Sequence, residues 1–340
     1  MPAPLPVSAI QAAAVESGVL PPLEEFRPGI RSVALPFGDG IDDHSLGYLI
    51  EGDDGALTMI DPGWHGDENV GRVDEALQRI GRSVADIAVV AITHLHVDHL
   101  GAADEIRRAS GARLAMHRLE QDALLARPDE AVLADIDIAG WGAPAEAVPD
   151  LVRFWGTGRT LPPIHADILL DDGDLLPAAG RRVQAVWTPG HTSGHLCFLE
   201  LDERLLFTGD HVLPRVNPGI GLGGRSATNP LADFLESLDR VSTLTDDGPL
   251  EVCPGHEYRF DSLAERCRAL RDHRGRRSTV IAGILDELDH PTLWQVADRM
   301  PWRGGFSAMS GYRLASAVAQ TGFHVDVLGR ADELSVGGPD

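Results

Sequence analysis

The sequence predicts an α+β fold, and three observations carry that expectation. Short apolar runs bounded by turn residues are interleaved with helix-spaced segments through the first half of the 340 residues. One continuous apolar run, Ile87–Ile92, lies between two such helical segments and reads as a strand buried on both faces. Beyond residue 262 the strand pattern stops. Ten arginines against seven acids between Leu263 and Arg330 give a local charge of +3 in a chain of formal net charge −23, and the spacing there is helical.

Taken in order, residues 1–29 are rich in Pro and Ala, with Pro21, Pro22 and Pro28 interrupting any helix, so an arm or edge segment is expected. Strands are expected at Ser32–Leu35, Leu46–Glu51 and Ala56–Asp61, with residues 52–55 as a hairpin turn. Val70, Val73, Leu77 and Ile80 predict a helix that Gly81 stops, and a second helix runs from Leu100 to Ser110 and closes at Gly111. Residues 119–165 carry Trp141, Trp155 and five prolines, and read as an insertion lying over the main sheet, suited to closing on a substrate. Strands resume at Ile168–Leu170, Val183–Trp187, Leu196–Leu201, Leu205–Phe207 and Leu250–Cys253, and Asn229-Pro230 opens a helix over Leu231–Leu244. Helical segments at 278–288, 292–300 and 312–321 complete a small C-terminal helical module. The expected division is therefore 1–29, 30–262 and 263–335.

Composition narrows the function. At 43% hydrophobic and 24% charged the chain is ordinary globular protein. No stretch approaches the ~20 apolar residues of a membrane span, and the first twenty residues lack a secretory pattern, so no membrane association is expected. Cys197, Cys253 and Cys267 have no C-x-x-C spacing, which argues against a disulfide framework and for a reducing, cytoplasmic setting. Every basic residue is arginine, which removes Schiff-base and Ser-Lys chemistry. A field of −23 disfavours nucleic acid and anionic membranes as partners. Homo-oligomer formation is left open.

The fourteen histidines are more informative. His94-Leu-His96-Val-Asp98-His99 follows the run Ile87–Ile92, and chance would place H-x-H-x-D-H on the order of 0.002 times in a sequence of this composition. Pro189-Gly-His191-Thr-Ser-Gly-His195 follows Val183–Trp187, Thr208-Gly-Asp210-His211 follows Leu205–Phe207, and Pro254-Gly-His256 follows Leu250–Cys253. Imidazoles and carboxylates suit Zn²⁺ and neighbouring first-row metals. Four candidate ligands within six residues need an irregular loop, and Gly190, Gly209 and Gly255 are expected to free the backbone for tight turns beside them.

This ordered set resembles the metallo-β-lactamase superfamily of hydrolases over roughly residues 30–262. The resemblance implies an αββα sandwich with a dinuclear site at one edge. It assigns one metal to His94, His96 and His191, the second to Asp98, His99 and His256, and a bridging role to Asp210. The cofactors implied are two Zn²⁺, with Fe or Mn as alternatives, and a water shared between the cations that becomes hydroxide near neutral pH. Asp98 is the catalytic candidate, holding metal and steering the nucleophile's proton. Asp61 matches another recurrent family position and is expected to orient the ligand loop. His195 and His211 flank the ligands and are candidates for lining the pocket, while His44 and His65 read as ordinary loop residues. The segment from His290 to Met300, with Gly311–Gly322 and Val325–Leu328, is similar to the winged-helix tail of some thioesterase-like and ribonuclease-like members.

The resulting expectation is hydrolysis of a small-molecule thioester, ester or lactone, nearest to the glyoxalase-II-like and thioesterase-like branches. The absence of lysine disfavours a glutathione thioester. The alternative is a metal-dependent ribonuclease or phosphodiesterase, resting on the basic run from Arg266 to Arg277. A regulatory protein with a structural metal and a single-iron oxidase of the same fold are weaker alternatives.

Overall fold

The computed structural model describes residues 3–37, 44–126, 140–149, 151, 164–223 and 226–335. Seven strands, β1 (Glu24–Arg27), β2 (Ile30–Pro36), β3 (His44–Glu51), β4 (Leu57–Ile60), β5 (Ile87–Ala91), β6 (Arg113–His117) and β7 (Ile168–Leu170), form one sheet in sequence order. The pairs from β1 to β4 are antiparallel and those from β4 to β7 parallel. A second sheet takes β8 (Val183–Trp187), β9 (Leu196–Glu200), β10 (Leu205–Gly209) and β11 (Glu251–Pro254) in the order β11-β10-β9-β8, with β10 and β11 parallel. Nine helices are described: α1 (Ala9–Ser17), α2 (Asp67–Gln78), α3 (Val97–Leu100), α4 (Ala103–Ser110), α5 (Arg118–Leu125), α6 (Pro230–Ser242), α7 (Leu263–Glu287), α8 (Leu293–Arg299) and α9 (Gly311–Val327).

The layers follow from strand alternation. On β3, Leu46, Tyr48 and Ile50 point between the sheets, where they meet Phe198, Phe207 and Cys253. Leu49 points the other way and packs with Leu35 and Met59 beneath Val73 and Leu77 of α2 and Ile106 of α4. The outer face of the second sheet is covered likewise, Leu206 and Val252 lying under Phe234 and Leu238 of α6 and Cys267 of α7. The order is α/β/β/α. Both faces of most strands are buried, which is why several read as unbroken apolar runs.

Three elements differ from expectation. Residues 9–17 form a helix within the segment read as an arm. Ser8 caps it, and Gly18 ends it in the left-handed conformation at φ 62°. Helix α7 begins at Leu263 and spans 25 residues, where only its second half was expected. Its first half was obscured by buried arginines. Arg266 donates to the carbonyls of Leu213 and Val216, both at 2.6 Å, and Arg274 donates to the carbonyl of Pro218. Such residues sit at core positions yet read as solvated charge. Helix α9 continues through Val325, so the expected wing at Val325–Leu328 is helical. No strand is described beyond Pro254.

The insertion divides between two places. Its ends, with Leu124 of α5 and Ile164, pack against the main sheet as expected, whereas the described stretch with Trp141, Ala147 and Leu151 packs on the C-terminal helices against Ile281, Leu293 and Val318. Trp155 lies outside the described residues. The three cysteines are free and buried. Among the described residues no helix is long and apolar enough to cross a membrane.

His324 on α9 docks on α7 through Ser278 Oγ, 2.8 Å from its Nδ1. Burial, then the neighbouring Arg274, Arg277 and His273, push its pKa down to about 3. A ring with a depressed folded pKa binds a proton more readily when unfolded, so its stabilisation is intact above about pH 6.5 and is lost as pH falls from there towards 3. Chemical denaturation followed across that window should show stability falling with acid, and His324→Gln should flatten the fall.

Candidate metal centre

The end of β4 and the segments following β5, β8, β10 and β11 meet at one edge of the sandwich and bring the histidine motifs together. The segment after β5 is not wholly irregular. Residues 92–96 are extended or bent, and Val97–Leu100 is then a single helical turn, with the His99 and Leu100 amides donating to the His96 carbonyl at 3.0 and 2.8 Å. His94 and His96 therefore point from a loop, and Asp98 and His99 from successive positions of a helix.

Two groups of candidate ligands form, His94, His96, His191 and Asp210 in one and Asp98, His99 and His256 in the other, each with its ligand atoms within 4.8 Å of one another. In the first, His96 Nδ1 is 2.9 Å from His94 Nε2 and 3.1 Å from His191 Nε2. The outward nitrogens assign the tautomers. His96 Nε2 and His191 Nδ1 face the carbonyls of Leu222 and Gly219 at 3.0 and 2.8 Å, and carbonyls only accept, so both nitrogens carry protons. Thr93 Oγ1 donates its one proton to Asp61 Oδ2 at 2.7 Å, so His94 Nδ1, 3.0 Å from Thr93 Oγ1, must be the donor there. Three nitrogen lone pairs then converge. Tetrahedral zinc, with N–Zn bonds of about 2.0–2.1 Å, spaces its nitrogens about 3.3 Å apart, so the donor set fits a cation and is repulsive without positive charge.

In the second group His99 Nδ1 is 2.8 Å from Asp61 Oδ2, and His256 Nδ1 donates to the His44 carbonyl at 2.9 Å. His44 is thus part of β3, not a loop residue. Both rings turn Nε2 inward, 3.3 Å apart. Asp210 Oδ1 lies 3.4 Å from His99 Nε2 and 3.3 Å from His256 Nε2, yet it is buried and makes no well-directed hydrogen bond. Its Oδ2 is 3.7 Å from His191 Nε2, so the one carboxylate reaches both groups.

The electrostatics divide the site. Burial, then the neighbouring imidazoles, holds His94 well below its ordinary value, and burial followed by His96 brings His191 down to about 4. Burial opposes charge on His99 and His256 too. There Asp210 and Asp98 win, raising His99 well above the imidazole range and His256 to about 10. The carboxylates that hold protons on those rings equally favour a metal cation among them.

Two supports were not expected from the sequence. Glu120, fully buried on α5, accepts from the backbone amides of Leu95 at 2.6 Å and Gly194 at 2.7 Å, joining the two loops that carry His94, His96 and His191. Burial pushes its carboxyl up to about 7. Its one sequence signal is its position four residues before the buried Leu124 on the same helix face. Gly255 acts through close approach, not the turn expected: a Cβ there would lie 2.6 Å from His99 Cε1 and 2.9 Å from Asp210 Oδ1. Gly190 and Gly209 do have positive φ, 132° and 45°.

Asp61 sits as described, bonded to Thr93 and His99. His195 and His211 are buried behind the ligands and do not line the cleft. His195 Nε2 accepts from the Asp210 amide at 3.3 Å, and His211 packs edge-on against Phe234. Before the site lies a cleft of about 900 Å³ that reaches His96, Asp98, His191, Asp210 and His256. Its remaining wall is mostly apolar, including Trp64, Leu95, Leu124, Leu213 and Leu222. Trp141 is not part of it.

Residues 40–256 match the metallo-beta-lactamase superfamily. A hydroxyacylglutathione hydrolase of Cereibacter sphaeroides is 29% identical over 55% of this chain and 54% of its own length. A human acyl-coenzyme A thioesterase is 28% identical over 49% of this chain and 55% of its own. The chain thus spans about half the length of these two relatives. A metallo-beta-lactamase family protein of Thermus thermophilus superposes with a TM-score of 0.70 at 27% identity, covering 93% of this chain and 98% of that one.

Removing the support should weaken the site without unfolding the protein. Asp61→Asn is expected to lower metal affinity about 10–100-fold, as loss of a ligand's orienting partner generally does. Gly255→Ala should lower it further, because the methyl group displaces His99 and Asp210. Competition with a chromogenic chelator measures both; unchanged affinity in either variant contradicts the assigned support.

Proposed function

This chain belongs to the metallo-β-lactamase superfamily, and on that premise we propose that it is a metal-dependent hydrolase of a small apolar acyl thioester or ester, with a lactone as the cyclic form of the same bond. The observation that carries this reading is the cleft. It opens directly on the ligands, its wall is mostly apolar, and among the described residues no arginine lines it. A hydroxyacylglutathione hydrolase and an acyl-coenzyme A thioesterase among the relatives support the same class.

His94, His96 and His191 would hold one divalent cation and Asp98, His99 and His256 a second, with Asp210 between; Zn²⁺ is the first choice, Fe or Mn the alternatives. When bound, such a pair supplies a water that is ionised near neutral pH and polarises the scissile carbonyl. The protein's own part is orientation and proton handling. Asp98 lies on the cleft side, and its carboxyl stays below the usual range against the effect of burial because His99 and His256 face it. It therefore stays ionised on the cleft side, where it can steer the nucleophile's proton. Asp61 and Glu120 hold the ligand loops still.

The nuclease alternative is the less supported reading. Of the basic run, Arg266 and Arg274 are buried on backbone carbonyls of the cleft wall, and Arg277 lies 4.1 Å over the Trp302 ring. These side chains do not form a groove for a polyanion. The reading further divides the chain into an N-terminal segment (1–29) that carries α1 and β1, a catalytic unit (30–262) and a helical module (263–335) that buttresses the cleft. The free, buried cysteines support a reducing, cytoplasmic setting.

Elemental analysis after mild dialysis should find close to two transition-metal ions per chain, and at most one in His256→Ala. Asp98→Asn should lose most of kcat, by two orders of magnitude or so if general-base catalysis is removed. Full activity of demonstrably metal-free protein would refute the assignment. A turnover screen of the metal-loaded protein on acyl thioesters, aryl esters, lactones, β-lactams, bis(p-nitrophenyl) phosphate and single-stranded RNA tests the class. Acyl substrates should lead, and faster cleavage of the phosphodiesters would decide for the alternative.

A further inference from the structure

We infer that α1 is the wall that gauges the substrate's acyl chain, which makes the substrate a medium- or long-chain acyl thioester or ester; this rests on the hydrolase reading above. Gln11, Ala14, Val15 and Gly18 share one helix face by their i, i+3, i+4, i+7 spacing. Gln11, 1% exposed, anchors that face: its side-chain amide donates to Ser32 Oγ at 3.1 Å, and its carbonyl accepts from the Arg259 amide at 2.9 Å. The Val7 amide adds a bond to the Arg259 carbonyl at 2.8 Å. The helix is thereby fixed to the chain three residues beyond His256, and Ala14, Val15, Gly18 and Val19 line the same cleft as the ligands. None of these four carries a polar side chain, so this wall can recognise only apolar surface.

Size and exposure point to a chain rather than a short acyl group. About 900 Å³ is near the upper end of the roughly 300–1,000 Å³ of small-molecule sites, far more than an acetyl or lactoyl group occupies. Val19 and Val216, both lining the cleft, stay 50% and 52% exposed, apolar surface that an alkyl chain would cover. The cleft is continuous from these residues to Asp98 and His256, so one ligand can place its carbonyl at the ligands and its alkyl end against α1.

The test uses the full-length, metal-loaded protein and a thioester series from acetyl to tetradecanoyl. kcat/KM should climb with chain length from butanoyl to at least decanoyl, by up to about fourfold per methylene. Val15→Trp should cut the decanoyl value about tenfold or more and leave the acetyl value within about twofold. Val15→Ala should move the optimum to longer chains. Ala13→Trp, on the exposed face of α1, serves as control. A flat chain-length profile, or Val15→Trp and Ala13→Trp profiles that coincide, overturns the inference. Binding of a dansyl-labelled dodecanoic acid, followed by fluorescence, separates it from the hydrolase reading. If no thioester, aryl ester or lactone is turned over, the hydrolase reading fails. Weaker binding in Val15→Trp alone still upholds the alkyl subsite, and equal binding in all three variants removes it.

Discussion

The hydroxyl of Thr93 has a single proton, and its donation to Asp61 Oδ2 settles the direction of the neighbouring bonds. His94 must then donate from Nδ1 and present Nε2 to the centre, while the same carboxylate oxygen faces Nδ1 of His99. One buried side chain thus orients a ring in each ligand group. Asp61 reaches this place through a left-handed backbone turn at the end of β4, φ 52°, a conformation that Asp tolerates better than most residues. The turn brings its carbonyl so close to β3 that a Cβ at Gly47 would lie 2.5 Å away. The strand interior accepts glycine there because the site requires the approach.

The sandwich explains why four separate motifs meet. Strands β4, β5, β10 and β11 run parallel to their bonded neighbours where those pairs adjoin, so β4 ends beside β5, and β10 beside β11, at one edge. With both faces of each sheet covered, that edge is where polar side chains following a buried strand can gather. Loops of this kind would be mobile if held by their ends alone. Glu120 joins two of them, His195 supports the Asp210 segment, and the outward nitrogens of His96, His191 and His256 tie onto backbone carbonyls.

Charge is distributed for the same purpose. The chain carries a strong negative excess, yet Arg266 and Arg274 of α7 are turned inward. Arg266 and Arg274 hold the carbonyls of Leu213, Val216 and Pro218, three residues of the cleft wall. Charge-assisted bonds to buried carbonyls satisfy both partners and stiffen a segment that has no regular structure of its own. The C-terminal helices therefore act on the cleft from behind through α7, while Tyr312 at the start of α9 reaches its lining directly.

The mixed sheet, most strand positions, the capped helix after Asn229 and the four motif segments were legible in the sequence because each is written in local periodicity, turn residues and the chemistry of side chains a few positions apart. H-x-H-x-D-H needs no tertiary context to suggest a metal. What the sequence could not express is the partner across space. Beyond its place on one helix face with Leu124, Glu120 reads like any other acid until Leu95 and Gly194 arrive from other segments. Arg266 and Arg274 of α7 look solvated until the cleft wall places carbonyls before them, which also hid half of that helix. Gly255 looks like a turn residue until His99 and Asp210 close on it. Helix α1 looks like an arm because its Pro- and Ala-rich sequence shows no clear apolar stripe, and Trp141 looks like a lid because composition says that an aromatic side chain is buried but not against what. Local bonding patterns repeat along a chain and can be read from it; the identity of a contact fifty or two hundred residues away is decided only when the sheets stack and the loops at their edge compete for the same space.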